Sequence, residues 1–143
     1  MHVSNDRLSE KISEKHLEDS IVRSFDQIFQ GQLELYKDEG AVGQQYPVVS
    51  TEGKAGYIDI LAKEPGTDSY LVIELKRERE SDRVIGQVLR YIGWVADNLC
   101  QIEEKVKGLI ICREGSENLD YILKMVEAFV EVKRYRVDFQ LID

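Results

Sequence analysis

Two apolar strands, each with charges set among apolar residues, constrain this chain more than any other feature of its sequence. Tyr57–Lys63 reads Tyr-Ile-Asp-Ile-Leu-Ala-Lys and Tyr70–Arg77 reads Tyr-Leu-Val-Ile-Glu-Leu-Lys-Arg. Between them lies Glu64-Pro65-Gly66-Thr67-Asp68-Ser69, a run of turn-forming residues, so the two segments read as a strand pair. A side-chain period of two places Leu71, Ile73 and Leu75 on one face and Val72, Glu74 and Lys76 on the other. On the neighbouring strand it sends Ile58 and Ile60 one way and Tyr57, Asp59 and Leu61 the other. An unpaired charge in an apolar strand is costly, so Asp59, Glu74 and Lys76 are either a structural ion-pair network or a site. Two carboxylates on paired strands with a lysine one pleat along make a compact cation-binding set. Mg²⁺ takes oxygen ligands and commonly one or two carboxylates, leaving room for water and phosphate. A cation so held binds a phosphodiester and lowers the pKa of a bound water. An adjacent lysine orients that water or neutralises the developing charge.

The flanking segments supply the rest of an α/β fold. From Leu8 to Phe29 the spacing is helical, with Leu17, Ile21, Phe25 and Ile28 on one side and Ile12, His16, Asp19 and Arg23 on another. Ser9 or Ser13 is the cap and Gly31 the stop. Leu33–Lys37 and Gly43–Val49 read as strands about the turn Asp38–Gly40, and Pro47 marks the second as an edge or bulged strand. Arg83–Leu99 carries Ile85, Val88, Leu89, Ile92, Val95 and Leu99 at the spacing of a helix packed on a sheet. Val106–Arg113 is a buried strand. A helix from Glu117 to Val130, preceded by Ser116, turns Leu119, Ile122, Leu123, Met125 and Val126 inward. Glu131–Ile142 closes as a strand. The order helix, three or four strands, helix, strand, helix, strand predicts one α/β unit with a mixed sheet over 1–143.

Composition narrows the class. With 143 residues, 43% hydrophobic and 32% charged, the chain is long enough for its own core and too apolar to be disordered. The longest apolar stretches, such as Gly108–Cys112, are strand-sized, and no leader is evident, so a cytoplasmic protein without a membrane partner is expected. Cys100 and Cys112 stand alone and His2 and His16 share no spacing with them. That pattern argues against a disulfide framework, a zinc site and a histidine-centred triad. The net charge of −8 would ordinarily disfavour nucleic acid. The deficit is uneven: residues 51–91 hold 7 basic and 8 acidic side chains, including the cluster Lys76, Arg77, Arg79, Arg83 and Arg90.

Asp59, fourteen residues, then Glu74-Leu75-Lys76 resembles the D…(D/E)xK signature of the PD-(D/E)XK nuclease superfamily. Gln87 and Tyr91, one helical turn apart, resemble the QxxxY motif of its RecB-like members. Arg83, Gln87, Arg90, Tyr91 and Trp94 fall on one helical stripe apart from the core stripe, offering cations, an amide and rings to a nucleic acid, or else forming a solvated face. The fuller string, from Val42-Gly43-Gln44-Gln45-Tyr46-Pro47 through Gly56–Leu61 and Val72–Arg77 to Val84–Tyr91, is most similar to the nuclease domain of the archaeal NucS/EndoMS endonucleases. The resemblance runs from about Glu14 to the C-terminus and omits that family's N-terminal β-rich domain.

The resemblance implies a restriction-endonuclease-like core, a central mixed β-sheet flanked by helices. It implies Mg²⁺ or Mn²⁺ held by Asp59, Glu74 and the Leu75 carbonyl, with Glu18 of the first helix reaching the metal and Asp19, at the adjacent position, as the alternative. Lys76 would activate or position water, Gln87 would steady the lysine or the phosphate, and Tyr91 belongs to the same motif. Arg77, Arg83 and Arg90 are the expected DNA contacts, with Arg79 a further candidate. Lys133-Arg134-Tyr135-Arg136 is a basic strand that reads equally as a wet face. The function implied is metal-dependent hydrolysis of DNA phosphodiesters, with branched, mismatched or single-stranded DNA as substrates. A homodimer or a separate DNA-binding chain would supply the absent surface. The rival readings are a non-catalytic nucleic-acid-binding or assembly module that keeps the fold, and an acidic DNA mimic.

Overall fold

The computed structural model describes residues 12–67, 69–77, 82–100, 105–114 and 117–143. The expected cap Ser9, the start of the first helix at Leu8, Arg79 and Ser116 lie outside them. Helix α1 spans Glu14–Arg23 and a short α2 spans Phe25–Phe29. The Ser13 hydroxyl caps α1 by accepting from the His16 N–H at 3.0 Å, a bond worth about 1 kcal/mol. The chain leaves α2 through Gln30 and Gly31, both in the left-handed region. Leu17, Ile21 and Phe25 are buried as the spacing predicts, whereas Ile28 is exposed because the helix restarts at Phe25 after a break at Ser24.

Seven of the eight strands follow in order as β1 (Glu34–Leu35), β2 (Lys37–Asp38), β3 (Ala41–Val42), β4 (Gln44–Ser50), β5 (Gly53–Glu64), β6 (Ser69–Lys76) and β7 (Val106–Cys112). Helix α3 (Asp82–Asn98) links β6 to β7, and α4 (Glu117–Val126) links β7 to β8 (Val130–Arg134). The main sheet runs β1-β5-β6-β7-β8, with β4 also paired to β5, while β2 and β3 form a separate hairpin. The β4–β5–β6 pairings are antiparallel and the β6–β7–β8 pairings parallel, so the sheet is mixed. Consecutive right-handed crossovers put their helices on one face of a sheet, and α3 and α4 indeed share a core with β7 and β8. Leu17, Ile21 and Phe25 cover the other face against Ile60, Ala62, Ile73, Leu75, Leu109 and Ile111.

Four further expectations need correction. Leu33–Lys37 is not one strand but is divided between β1 and β2, which belong to different sheets. Met125 is exposed and Val130 belongs to β8, because α4 ends at Val126. The last strand stops at Arg134, where its pairing with β7 runs out at Cys112. Most consequential is β5, in which Ile58 and Ile60 do not share a face. Ile58 packs with Leu61, Val72 and Tyr91, whereas Ile60 packs with Ile73 and α1. The alternation breaks because β5 serves two partners: its first half pairs with β4 and only its second half, from Ile60 onward, with β6. Asp59 sits at that break.

Gly56 shows how tightly α3 closes on β5. It has φ +146°, and a methyl group there would fall on the Tyr91 hydroxyl. Gly56→Ala is expected to cost about 1–3 kcal/mol by urea denaturation, from overpacking and backbone strain. Adding Tyr91→Phe, which removes the hydroxyl, should recover part of that loss. An additive double variant would show that the two sites are not in contact.

Candidate active site

The β5–β6 ladder runs from Glu64↔Ser69 to Ile60↔Ile73. Just past its end two side chains take over as acceptors. Asp59 Oδ2 accepts from the Leu75 N–H at 2.9 Å, and Glu74 Oε1 accepts from the Asp59 N–H at 3.2 Å. Each carboxylate is thereby locked to the opposite strand, a rigid placement of two acidic groups next to one another.

Burial then sets their chemistry. Glu74 is 2% exposed, and its pKa is pushed up to about 9, first by burial and then by the Asp59 charge. Lys76, one pleat along, pulls in the opposite direction. Burial also raises Asp59, against the hydrogen bonds it accepts from Leu75 and Gln45. A pair of carboxylates in this state is short of positive charge. Among the described residues no three His, Cys, Asp or Glu side chains converge into a cage for a metal ion. Two carboxylates with backbone oxygen nearby nevertheless fit a hard cation that keeps several of its waters.

Glu18 of α1 is 3% exposed, a buried carboxylate on a helix whose other charges are wet. It reaches this centre through an amide: Gln45 Nε2 donates both to Glu18 Oε1 and, at 3.1 Å, to Asp59 Oδ1. Gln44 Nε2 donates to Glu18 Oε2 and to Asp19 Oδ1, both at 2.8 Å. Asp19 also pairs with Lys15 at 3.1 Å, and Gln44 together with Lys15 holds its carboxyl below the usual range. The end of β6 is pinned as well. The Arg77 N–H donates to Glu14 Oε1 at 3.0 Å, and Arg113 Nε donates to the Arg77 carbonyl at 3.2 Å. These two bonds fix the backbone directly after Lys76.

The fold thus gathers Asp59, Glu74, Leu75 and Lys76, with Glu18 one amide away. It does not gather the helical residues as tightly. Tyr91 is 2% exposed and belongs to the core with Ile58, Val72 and Val95, so the expected surface stripe on α3 is interrupted there. Gln87 Nε2 donates to the Tyr91 hydroxyl at 3.2 Å. Arg83 and Arg90 are exposed, Arg90 lying over the Tyr91 ring at 5.4 Å. Among the described residues no hydrogen bond or ion pair ties Gln87, Arg83 or Arg90 to Asp59 or Glu74. Trp94 anchors α3 to the sheet edge, its Nε1 donating to the Val49 carbonyl at 2.9 Å.

Sequence reasoning singled out neither Gln44 nor Gln45, nor the ties from Glu14 and Arg113. All four act through partners 14 to 63 residues away in the chain, so no local spacing announces them.

A mixed sheet with helices on both faces, carrying Asp59 and Glu74-Leu75-Lys76 at the open end of an antiparallel pair, defines the restriction-endonuclease-like fold of the PD-(D/E)XK superfamily. Residues 5–142 match the model of the YhcG PDDEXK nuclease domain, and the chain belongs to that family. Its structure is similar to the crystal structure of a repair endonuclease from Pyrococcus abyssi, with a TM-score of 0.64 and 16% identity over 87% of this chain and 47% of that one. It is also similar to an EndoMS–dsDNA complex, with a TM-score of 0.62 and 15% identity over 98% of this chain and 48% of that one. For EndoMS in its apo form the TM-score is 0.61 at 16% identity, over 90% of this chain and 48% of that one. The chain therefore spans about half the length of these proteins. No curated protein matches its sequence. No described helix is long and apolar enough to cross a membrane.

Proposed function

We propose that this chain is the catalytic unit of a divalent-metal-dependent endonuclease that hydrolyses DNA phosphodiester bonds. One observation carries the reading: half-buried Asp59 and buried Glu74, side by side at the end of the β5–β6 ladder, form a charge-deficient oxygen pair beside Lys76. Family membership and the endonuclease neighbours support it.

Asp59, Glu74 and the Leu75 carbonyl would hold Mg²⁺ or Mn²⁺, with Glu18 behind them. Such an ion, when bound, lowers the pKa of a water and offsets charge on the phosphate. Lys76, on a strand end pinned by Glu14 and Arg113, orients the attacking water and stabilises the pentacovalent phosphate. Water adds to phosphorus in line, the P–O3′ bond breaks, and a 5′-phosphate remains. Gln87, which donates to the hydroxyl of the buried Tyr91, steadies the phosphate from α3. Arg77, Arg83 and Arg90 supply phosphate contacts that the chain's −8 charge otherwise withholds. A second copy or a separate DNA-binding chain completes the surface, in keeping with the half-length match to the endonucleases.

The test is cleavage of labelled single-stranded, flap, mismatched and duplex DNA with Mg²⁺ or Mn²⁺, beside Lys76→Met. Wild type should cut at least one substrate in a metal-dependent manner. The variant should lose about 10²-fold or more in rate while still binding Mn²⁺ by calorimetry. Metal binding without cutting would direct the search to a partner chain. Neither binding nor cutting would leave the non-catalytic module as the better reading.

A further inference from the structure

Gln45 is the least ordinary residue at this centre. Among the described residues only three besides glycine have positive φ: Gln30, Glu39 and Gln45. Gln30 caps a helix and Glu39 sits in a hairpin turn, where such angles are routine. Gln45, with φ 50°, lies inside strand β4. A side chain in that region costs about 1 kcal/mol and persists only where its surroundings hold it. What holds it here is its own amide. One nitrogen carries two hydrogens, and they go to two carboxylates on different elements, Glu18 on α1 and Asp59 on β5. The other oxygen of Glu18 accepts from the Gln44 amide at 2.8 Å and lies 3.4 Å from the exposed Lys15 ammonium, so on the Asp59 side the amide of Gln45 is the donor Glu18 has. Gln45 itself is exposed on its outer side and has room to turn away.

We propose that Gln45 is a cation surrogate: its amide holds the Glu18 and Asp59 carboxylates together while the metal centre is empty and yields that place when a divalent ion enters. The inference rests on the metal-centre reading above and adds to it a positioning residue outside the D…(D/E)xK and QxxxY motifs. A donor between two carboxylates offsets their repulsion in the empty site. It also competes with any ion that needs the same oxygens, so Gln45 sets how tightly the ion is held.

The experiment uses Gln45→Leu, which has no polar group, and Gln45→Glu, which has nearly the same shape but exchanges the donor for an acceptor. Each is melted in EDTA and in saturating Mn²⁺, and each is titrated with Mn²⁺ by calorimetry. Both variants should melt below wild type in EDTA, return close to it in Mn²⁺, and bind Mn²⁺ several-fold more tightly. The three results are linked, because a deficit that Mn²⁺ repairs must appear as affinity. A packing role would leave the Gln45→Leu deficit unrepaired by Mn²⁺, and that outcome overturns the proposal. Equal deficits in EDTA and Mn²⁺, or weaker Mn²⁺ binding in both variants, overturn it too. Should Gln45→Leu fail to fold in EDTA, Gln45→Glu carries the comparison alone. Absence of Mn²⁺ binding by wild type overturns the metal-centre reading, and this proposal with it.

Discussion

Glu74→Gln should abolish metal-dependent cleavage and leave the fold at least as stable as wild type. The two effects come from one cause. Glu74 is 2% exposed and lies against a second carboxylate, so folding must either bury its charge or take up a proton, at a cost in both cases. Glutamine keeps the shape. Its carbonyl still accepts from the Asp59 N–H, and its amide donates to the Asp59 carboxylate where a charged Glu74 repels it. A side chain that cannot ionise therefore escapes that cost while deleting half of the oxygen pair that would hold the ion. A fall of about 10³-fold or more in single-turnover cleavage is expected. Urea midpoints in EDTA should be equal or higher. Asp59→Ala should be equally inactive but less stable by about 1–3 kcal/mol, because it orphans the Leu75 N–H. If Glu74→Gln cut DNA within tenfold of wild type, Glu74 would not belong to the catalytic machinery.

The same buried pair predicts an unusual dependence of stability on pH. Glu74 has a folded pKa of about 9 against an ordinary value of 4.5. The folded state thus binds a proton that the unfolded chain releases between those values. The stability contributed by this proton is fully present below about pH 4.5 and is lost as pH rises through 9. In EDTA, stability attributable to Glu74 should decline across that window by about 1.4 kcal/mol for each pH unit between the two pKa values. The clean measurement is the difference between wild type and Glu74→Gln in urea from pH 5 to about 9, since other groups contribute to both. The variant should gain on wild type steadily with pH. A difference that stays flat would mean Glu74 is already ionised at the acidic end.

How much of this was legible beforehand depends on the range over which each feature is decided. The strand pair, the helix that follows it and the residues Asp59, Glu74 and Lys76 could be read directly, because charges inside short apolar strands are local anomalies. Their grouping followed from a period-two pattern, and in β6 that pattern holds: Ile73 and Leu75 face α1 while Val72 faces α3. In β5 it fails at Asp59, since periodicity presumes a strand with one partner on each side throughout, and β5 changes partners there. Tyr91 was assigned to a wet stripe by its spacing, but the missing side chain at Gly56 makes a place for its ring in the core. Glu18 is one of several carboxylates on an acidic helix, and only the family resemblance, not its spacing, assigns it to the metal. Its burial is decided by two glutamines from β4 that no helical spacing reveals.

The sequence by itself determined the class of fold and the identities of the charges on its two central strands, because both are written in short-range alternation of apolar and polar residues. Tertiary structure alone decided that the β5–β6 ladder ends just before Asp59 and Glu74, that the two carboxylates share their charge deficit, and that Gln45 stands between Glu18 and Asp59. Each of those depends on which backbone donors and acceptors are left over once the strands have paired, a quantity that exists only in the folded chain.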